Sequence, residues 1–145
     1  MNNIPAIADT FGASKQEFNH HPKNDTVISL DQLGKPLSYF ESEIWELGCY
    51  AHNYTDQSEI NFYLDHTSPK KYTLSHQIKI VLFYLMFSRK RRDNNITLKT
   101  IQGNFFIIRK IAYLCLDFNC DFTNIKNNGI FLKSLKNHLS ELSWE

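Results

Sequence analysis

Cysteine is scarce in this 145-residue chain: only Cys49, Cys115 and Cys120 occur. An odd count without repeated spacing excludes a disulfide framework and points to free thiols in a reducing cytoplasm. Cys115 sits in an apolar run and reads as a small buried hydrophobe. No basic start followed by an apolar core opens the sequence, so no secretory signal is expected. The longest apolar run, Ile80 to Phe87, is far short of the ~20 residues that span a bilayer. Glycine-rich phosphate loops, dinucleotide fingerprints and nucleophile elbows are also missing. Neither an internal repeat nor a low-complexity tract divides the chain.

Acidic residues are nearly absent from one stretch. Residues 70–110 hold ten Lys or Arg against the single acid Asp93, a balance of +9. Residues 1–69 hold three Lys against ten acids, a balance of −7, and residues 111–145 hold three Lys against four acids. The overall charge of +1 therefore hides a segregation of the kind that accompanies contact with a polyanion. A near-neutral total favours one binding face over a surface that coats nucleic acid all round.

Composition is otherwise that of one globular domain, 42% hydrophobic and rich in rings, with eleven Phe and seven Tyr. Residues 1–36 are rich in Asn, Asp, His and Pro and read as a flexible N-terminal arm, with Val27 to Leu30 a short strand or a docking turn. Residues 37–145 read as a helical DNA-binding domain. Ser38 to Leu47 mixes aromatic anchors with acids, and Ile60 to Leu64 alternates as a strand does, so the two segments are expected to pair as a small hairpin. Beyond the Thr67-Ser68-Pro69 break, Thr73 or Ser75 is positioned to cap a helix reaching about Arg89. Thr97 or Thr100 caps a second helix to about Phe118, in which Ile101, Phe105, Ile108, Ala112 and Cys115 recur at helical spacing. Gly103 costs that helix up to about 1 kcal/mol unless a close contact requires it. Thr123 caps a short turn. A last helix from Ile130 to about Leu142 carries Leu132, Leu135, Leu139 and Leu142 on one stripe. The expected fold is mainly α, a compact bundle of three to five helices with a small N-terminal β-hairpin.

Arg89, Lys90, Arg91 and Arg92 form the densest cation cluster, placed where the first of these helices ends. A helix C-terminus accounts for one or two such charges through the macrodipole, and four adjacent ones call for an anionic partner. Lys70 and Lys71 precede that helix, while Lys99, Arg109 and Lys110 follow on the next. Antiparallel packing is expected to gather them on one positive edge, beside a helix N-terminus that can receive a phosphate. Asn94, Asn95, Thr97, Thr100, Gln102 and Asn104 carry groups suited to base edges or phosphates, and equally suited to ordinary caps. Duplex is favoured over single strands because no exposed row of rings is evident among the cations. The candidate DNA-binding set is thus Lys70, Lys71, Arg89, Lys90, Arg91, Arg92, Asn95, Thr97, Lys99, Thr100 and Asn104.

The helix from Ser75 through Phe87, the polar turn Asn94-Asn95-Ile96-Thr97 and the helix from Ile101 through Leu116 resemble the N-terminal core-binding (SAM-like) domain of phage-integrase-type tyrosine recombinases. Phe40 to Leu47 and Ile60 to Phe62 look like the lead-in of some integrases from mobile elements. The resemblance spans roughly Leu37 to Leu142 and rests on helix and ring positions. It implies a domain that clamps one face of DNA and orients a separate catalytic domain. That family's chemistry needs a Tyr nucleophile with Arg and His residues, including a His-x-x-Arg box. No such box exists here; His76-Gln77-Ile78-Lys79 is the nearest sequence. The resemblance therefore implies a fragment or a stand-alone relative that binds DNA without cutting it.

Other constellations are thinner. Cys49 and His52, with His20 and His21, do not supply the second ligand pair that a zinc site needs, so neither metal nor cofactor is expected. Glu41, Glu43 and Glu46 lack a partner His. Trp45 reads as a core anchor, and Trp144 as packing on the last helix or as the mark of a cut from a longer chain. The expected partners are duplex DNA and a catalytic domain or other protein chain, with no membrane and no small-molecule substrate. The alternative is a small helical interaction or regulatory protein of a mobile element, its acidic first half closing on the basic stretch without nucleic acid.

Overall fold

The computed structural model describes residues 22–53, 58–87 and 97–127, together with positions 133, 136 and 137. Strand β1 (Val27–Leu30) and strand β2 (Pro36–Tyr39) form one antiparallel sheet. Asp31 shapes their connection: its Oδ1 accepts the backbone N–H groups of Leu33 at 2.8 Å and Lys35 at 2.9 Å. Gly34 then takes φ 84°, a left-handed turn that glycine adopts without steric cost. Strand β3 (Ile44–Glu46) pairs antiparallel with strand β4 (Glu59–Asn61), with Trp45 opposite Ile60. Both of these face the core, whereas Ile44, Glu59 and Asn61 are exposed, the alternation expected of a half-buried sheet.

Helix α1 (Lys70–Phe87) begins earlier than the Thr73 or Ser75 cap expected from sequence. Ser68 Oγ accepts the Lys70 N–H at 3.2 Å, and Pro69, with its preset φ, suits the first helical position. Ser75 is engaged elsewhere, donating to the Phe62 carbonyl at 2.8 Å. Helix α2 (Leu98–Asp117) is capped by Thr97, whose side chain accepts the Thr100 N–H. Its buried stripe is Ile101, Phe105, Ile108, Ala112, Cys115 and Leu116. It ends in a left-handed turn at Asn119, φ 52°. There Cys120 N–H reaches Cys115 O at 2.9 Å and Asn119 N–H reaches Leu116 O at 3.1 Å. These two bonds form a Schellman motif, and the buried Cys115–Cys120 pair is its apolar contact. A 3-10 turn, Phe122–Asn127, follows.

The expected helical bundle is thus not what forms. The elements whose bounds are described are two α-helices, two short 3-10 turns and two separate two-stranded antiparallel sheets, an α+β arrangement. Two helices offer too few apolar stripes to enclose the rings of the first half, and the sheets supply the missing walls. The segments expected to form the small hairpin do pair, in the narrower bounds of β3 and β4. Residues 22–36, assigned from sequence to the arm, carry β1, and Ile28 is fully buried, so folded structure starts ahead of Leu37. Of the helix expected from Ile130 to about Leu142, positions 133, 136 and 137 are described and are α-helical; the rest of it lies outside the described residues.

One core joins these elements through ring contacts. Phe40 meets Phe83 of α1 edge-on at 6.1 Å and Trp45 at 6.0 Å. Trp45 packs on Phe62 at 4.6 Å, and Phe62 on Phe105 of α2 at 5.6 Å. Polar ties reinforce the sequence of rings. Ser38 Oγ, on β2, accepts the Glu46 N–H of β3 at 2.8 Å. Tyr50 Oη donates to the Ile28 carbonyl at 2.6 Å, and complete burial pushes that phenol well above its usual pKa.

Gly103 lies in the middle of α2, and a Cβ built there meets nothing within 4 Å. No internal contact therefore requires glycine. Gly103→Ala is expected to stabilise the free protein by about 0.5–1 kcal/mol, read from the urea midpoint; a destabilised variant would contradict the open setting of this residue.

Candidate nucleic-acid interface

Helices α1 and α2 pack against each other, and residues 88–96 connect them. The contacts at their far end give their relative direction. His66, just before α1, lies 3.5 Å from Asp117 at the end of α2. Gln77 Oε1 accepts the Phe122 N–H at 3.0 Å, and Tyr113 Oη accepts the Asp65 N–H at 3.0 Å. The pair is antiparallel, so Phe87 and Thr97 share one end, from which the segment containing Arg89 to Arg92 departs.

That direction separates the candidate cations. Lys99 is exposed in the first turn of α2, at the linker end. Lys110 lies eleven residues on, three helical turns and about 16 Å along the same face, and is also exposed. Lys70 and Lys71 start α1 and therefore sit at the opposite end, about 27 Å away along an 18-residue helix. They lie not beside Lys99 but toward the end of α2 that carries Asp117. The physical reason is the antiparallel turn itself, which brings the end of α1, not its beginning, to the start of α2.

Of the polar candidates, Thr97 and Thr100 are occupied with each other. Their hydroxyls lie 2.9 Å apart, and Thr97 caps the helix. Asn104 is half-buried on α2. Arg89, Lys90, Arg91, Arg92 and Asn95 lie outside the described residues.

The acidic first half reaches α1 at one point. Lys79 Nζ donates to the Glu41 carbonyl at 3.2 Å and sits 5.4 Å from the centre of the Phe62 ring. Burial lowers its pKa, and Glu43 and Glu41 partly restore it. Among the described residues, no lysine or arginine nitrogen lies within 4 Å of a carboxylate oxygen. Lys99, Arg109 and Lys110 are thus not neutralised by described carboxylates. Arg109 and Lys110 instead lie over the Phe105 and Phe106 rings at 5.3 and 5.1 Å. A cleft of about 480 Å³ runs beside them, lined by Arg109, Lys110, Tyr113, Leu114 and Asp117.

Lys71 has a setting that sequence reasoning missed. Its Nζ lies 5.2 Å from the ring centres of both Tyr63 and Tyr72, and these rings are 61% and 72% exposed. Exposed rings do accompany a cation, contrary to the reading that favoured duplex over single strands. Tyr63 is nine positions from Tyr72 and in a different element, so spacing along the chain carried no signal of the pair.

Among the described residues, no group of three or more His, Cys, Asp or Glu is placed to hold a metal ion, and no helix is long and apolar enough to cross a membrane. Burial raises the Cys49 and Cys115 thiols above their usual pKa, which disfavours the nucleophilic thiolate. No family model, curated protein or solved structure matches the chain.

Beside Lys70, the Asp121 carboxyl is held below its usual range. The Thr123 hydroxyl bond is the largest cause, with the Thr123 N–H, Gln77 and Lys70 adding to it against a burial penalty. A depressed carboxyl contributes stability above its unfolded pKa of about 3.9 and loses it as pH falls through the folded value. Asp121→Asn is expected to flatten the loss of stability between pH 5 and pH 2. The difference should stay below about 1 kcal/mol because the site is solvent-screened. Denaturation midpoints across that range test it, and a wild type and variant that lose stability in parallel would refute it.

Proposed function

We propose that this protein binds duplex DNA through phosphate contacts made at the linker end of the helix pair. The observation that carries the reading is the shared placement of Phe87, Thr97 and the exposed Lys99 at one end of an antiparallel pair. The connecting segment 88–96 holds four cations and one acid. Four charges of one sign in a row repel one another, and an anionic partner relieves that repulsion. Lys110 extends the same face of α2 toward a second phosphate. The resemblance to recombinase core-binding domains adds a role for the contact, the orientation of a separate catalytic domain on its DNA site. The proposed setting is the cytoplasm, in keeping with three free cysteines.

The test is fluorescence anisotropy with a labelled duplex at 50 and 200 mM salt. With four to six phosphates neutralised, affinity should fall by about 10²–10³-fold between the two. Reversing Arg89, Arg91 and Arg92 to Glu should abolish binding with the circular dichroism spectrum unchanged, and Lys99→Ala should reduce the salt slope by about 1. Absence of duplex binding at 50 mM salt overturns the proposal in favour of a protein-interaction module.

A further inference from the structure

The linker-end reading makes no use of the opposite end of α1, where the chain brings two exposed rings to either side of an ammonium. Tyr63 belongs to the segment after β4. Its N–H is held by Asn61 Oδ1 at 2.9 Å, and its neighbours Phe62 and Leu64 are 1% and 2% exposed. Those two anchors force the ring between them outward. Tyr72 lies in the first turn of α1, two positions before Leu74, which is fully buried. Two positions are about 200° of helix, so Tyr72 points away from the core. The outward aim of both rings follows from firmly buried neighbours, not from loose packing.

Charge along this face is uneven. Lys79 and Glu43 line the cleft that both tyrosines border, and Lys79 is offset by Glu43 and Glu41. Lys71 has no described carboxylate within 4 Å; its contacts are the two ring faces. The cleft between them measures only about 80 Å³, well under the roughly 300–1,000 Å³ of pockets that enclose a small molecule. A ligand here therefore lies across the rim, on the rings. Two π-faces beside an ammonium with no described carboxylate within 4 Å match a repeating ligand that alternates planar rings with single negative charges. A proline-rich peptide also lies across tyrosine-lined grooves, but it offers the ammonium no counter-charge.

We infer that Tyr63, Lys71 and Tyr72 form a binding site for unpaired nucleotides, with bases stacked on the two tyrosines and the intervening phosphate at Lys71. The site is separate from the linker end and does not depend on the duplex reading.

Anisotropy of the full chain with a labelled twelve-nucleotide oligo-dT tests it. The wild type should bind, Tyr63→Ala and Tyr72→Ala should each weaken binding by about tenfold, and Tyr72→Phe should retain it because stacking needs no hydroxyl. Lys71→Ala should lower the salt slope by about 1. The variant with Arg89, Arg91 and Arg92 reversed should keep a Tyr72-dependent response, which separates this site from the linker end. Failure of the wild type to bind oligo-dT, binding indifferent to Tyr72→Ala, or Tyr72-dependent binding of a proline-rich peptide in its place would each overturn the inference.

Discussion

Edge-to-face and tilted packing of five rings, Phe83, Phe40, Trp45, Phe62 and Phe105, holds two small sheets and two helices in one body. Neither sheet is stable alone, since a two-stranded ribbon is marginal in water. Neither helix supplies enough apolar surface to enclose a core by itself. Each ring buries a large area, and offset contacts add about 0.5–1.5 kcal/mol per pair. Phe40 and Phe62 hold the key positions because each touches Trp45 on one side and a helix on the other. The Trp45 indole N–H, 3.4 Å from the Phe40 carbonyl, keeps a polar group partnered inside that cluster.

The same packing sets where charge is displayed. Phe62 anchors against α2 while Ser75 of α1 donates to its carbonyl, so the segment after β4 is clamped between the helices. That clamp turns Tyr63 outward beside the start of α1. The antiparallel pairing of α1 and α2 divides the central cations between two ends instead of pooling them. One end holds Lys99 and the connecting segment; the other holds Lys71 between its two tyrosines. The acidic first half engages Lys79 in passing and leaves both ends open among the described residues. Among the described residues, no carboxylate of the acidic half lies within 4 Å of these lysines.

Much of the second half was legible from local chemistry. The α2 cap at Thr97 and the buried set Ile101, Phe105, Ile108, Ala112 and Cys115 follow from side-chain type and a 3.6-residue period. Trp45 as a core anchor and the pairing of its segment with the one around Ile60 were readable from ring content and alternation. The start of α1 was misplaced because Thr73 and Ser75 looked like caps, whereas Ser68 with Pro69 satisfies the first turn better. The strand Val27–Leu30 was one of two readings open from sequence and forms in those bounds, but its docking into the core was not legible, since a four-residue strand with two inward positions carries little periodic signal. The helical bundle was inferred from helix count, which says nothing of what covers the helices' apolar faces.

The linear order of residues by itself determined the segregation of charge, the helix periods and caps, and the absence of a bilayer-length apolar run, because each depends on composition or on neighbours a few positions apart. Tertiary structure alone decided that two sheets wall the core, that Lys70 and Lys71 part company with Lys99, and that Tyr63 and Tyr72 flank one lysine. Those outcomes depend on contacts between residues distant along the chain, whose geometry is set by how buried rings pack and by the direction in which one helix returns along another.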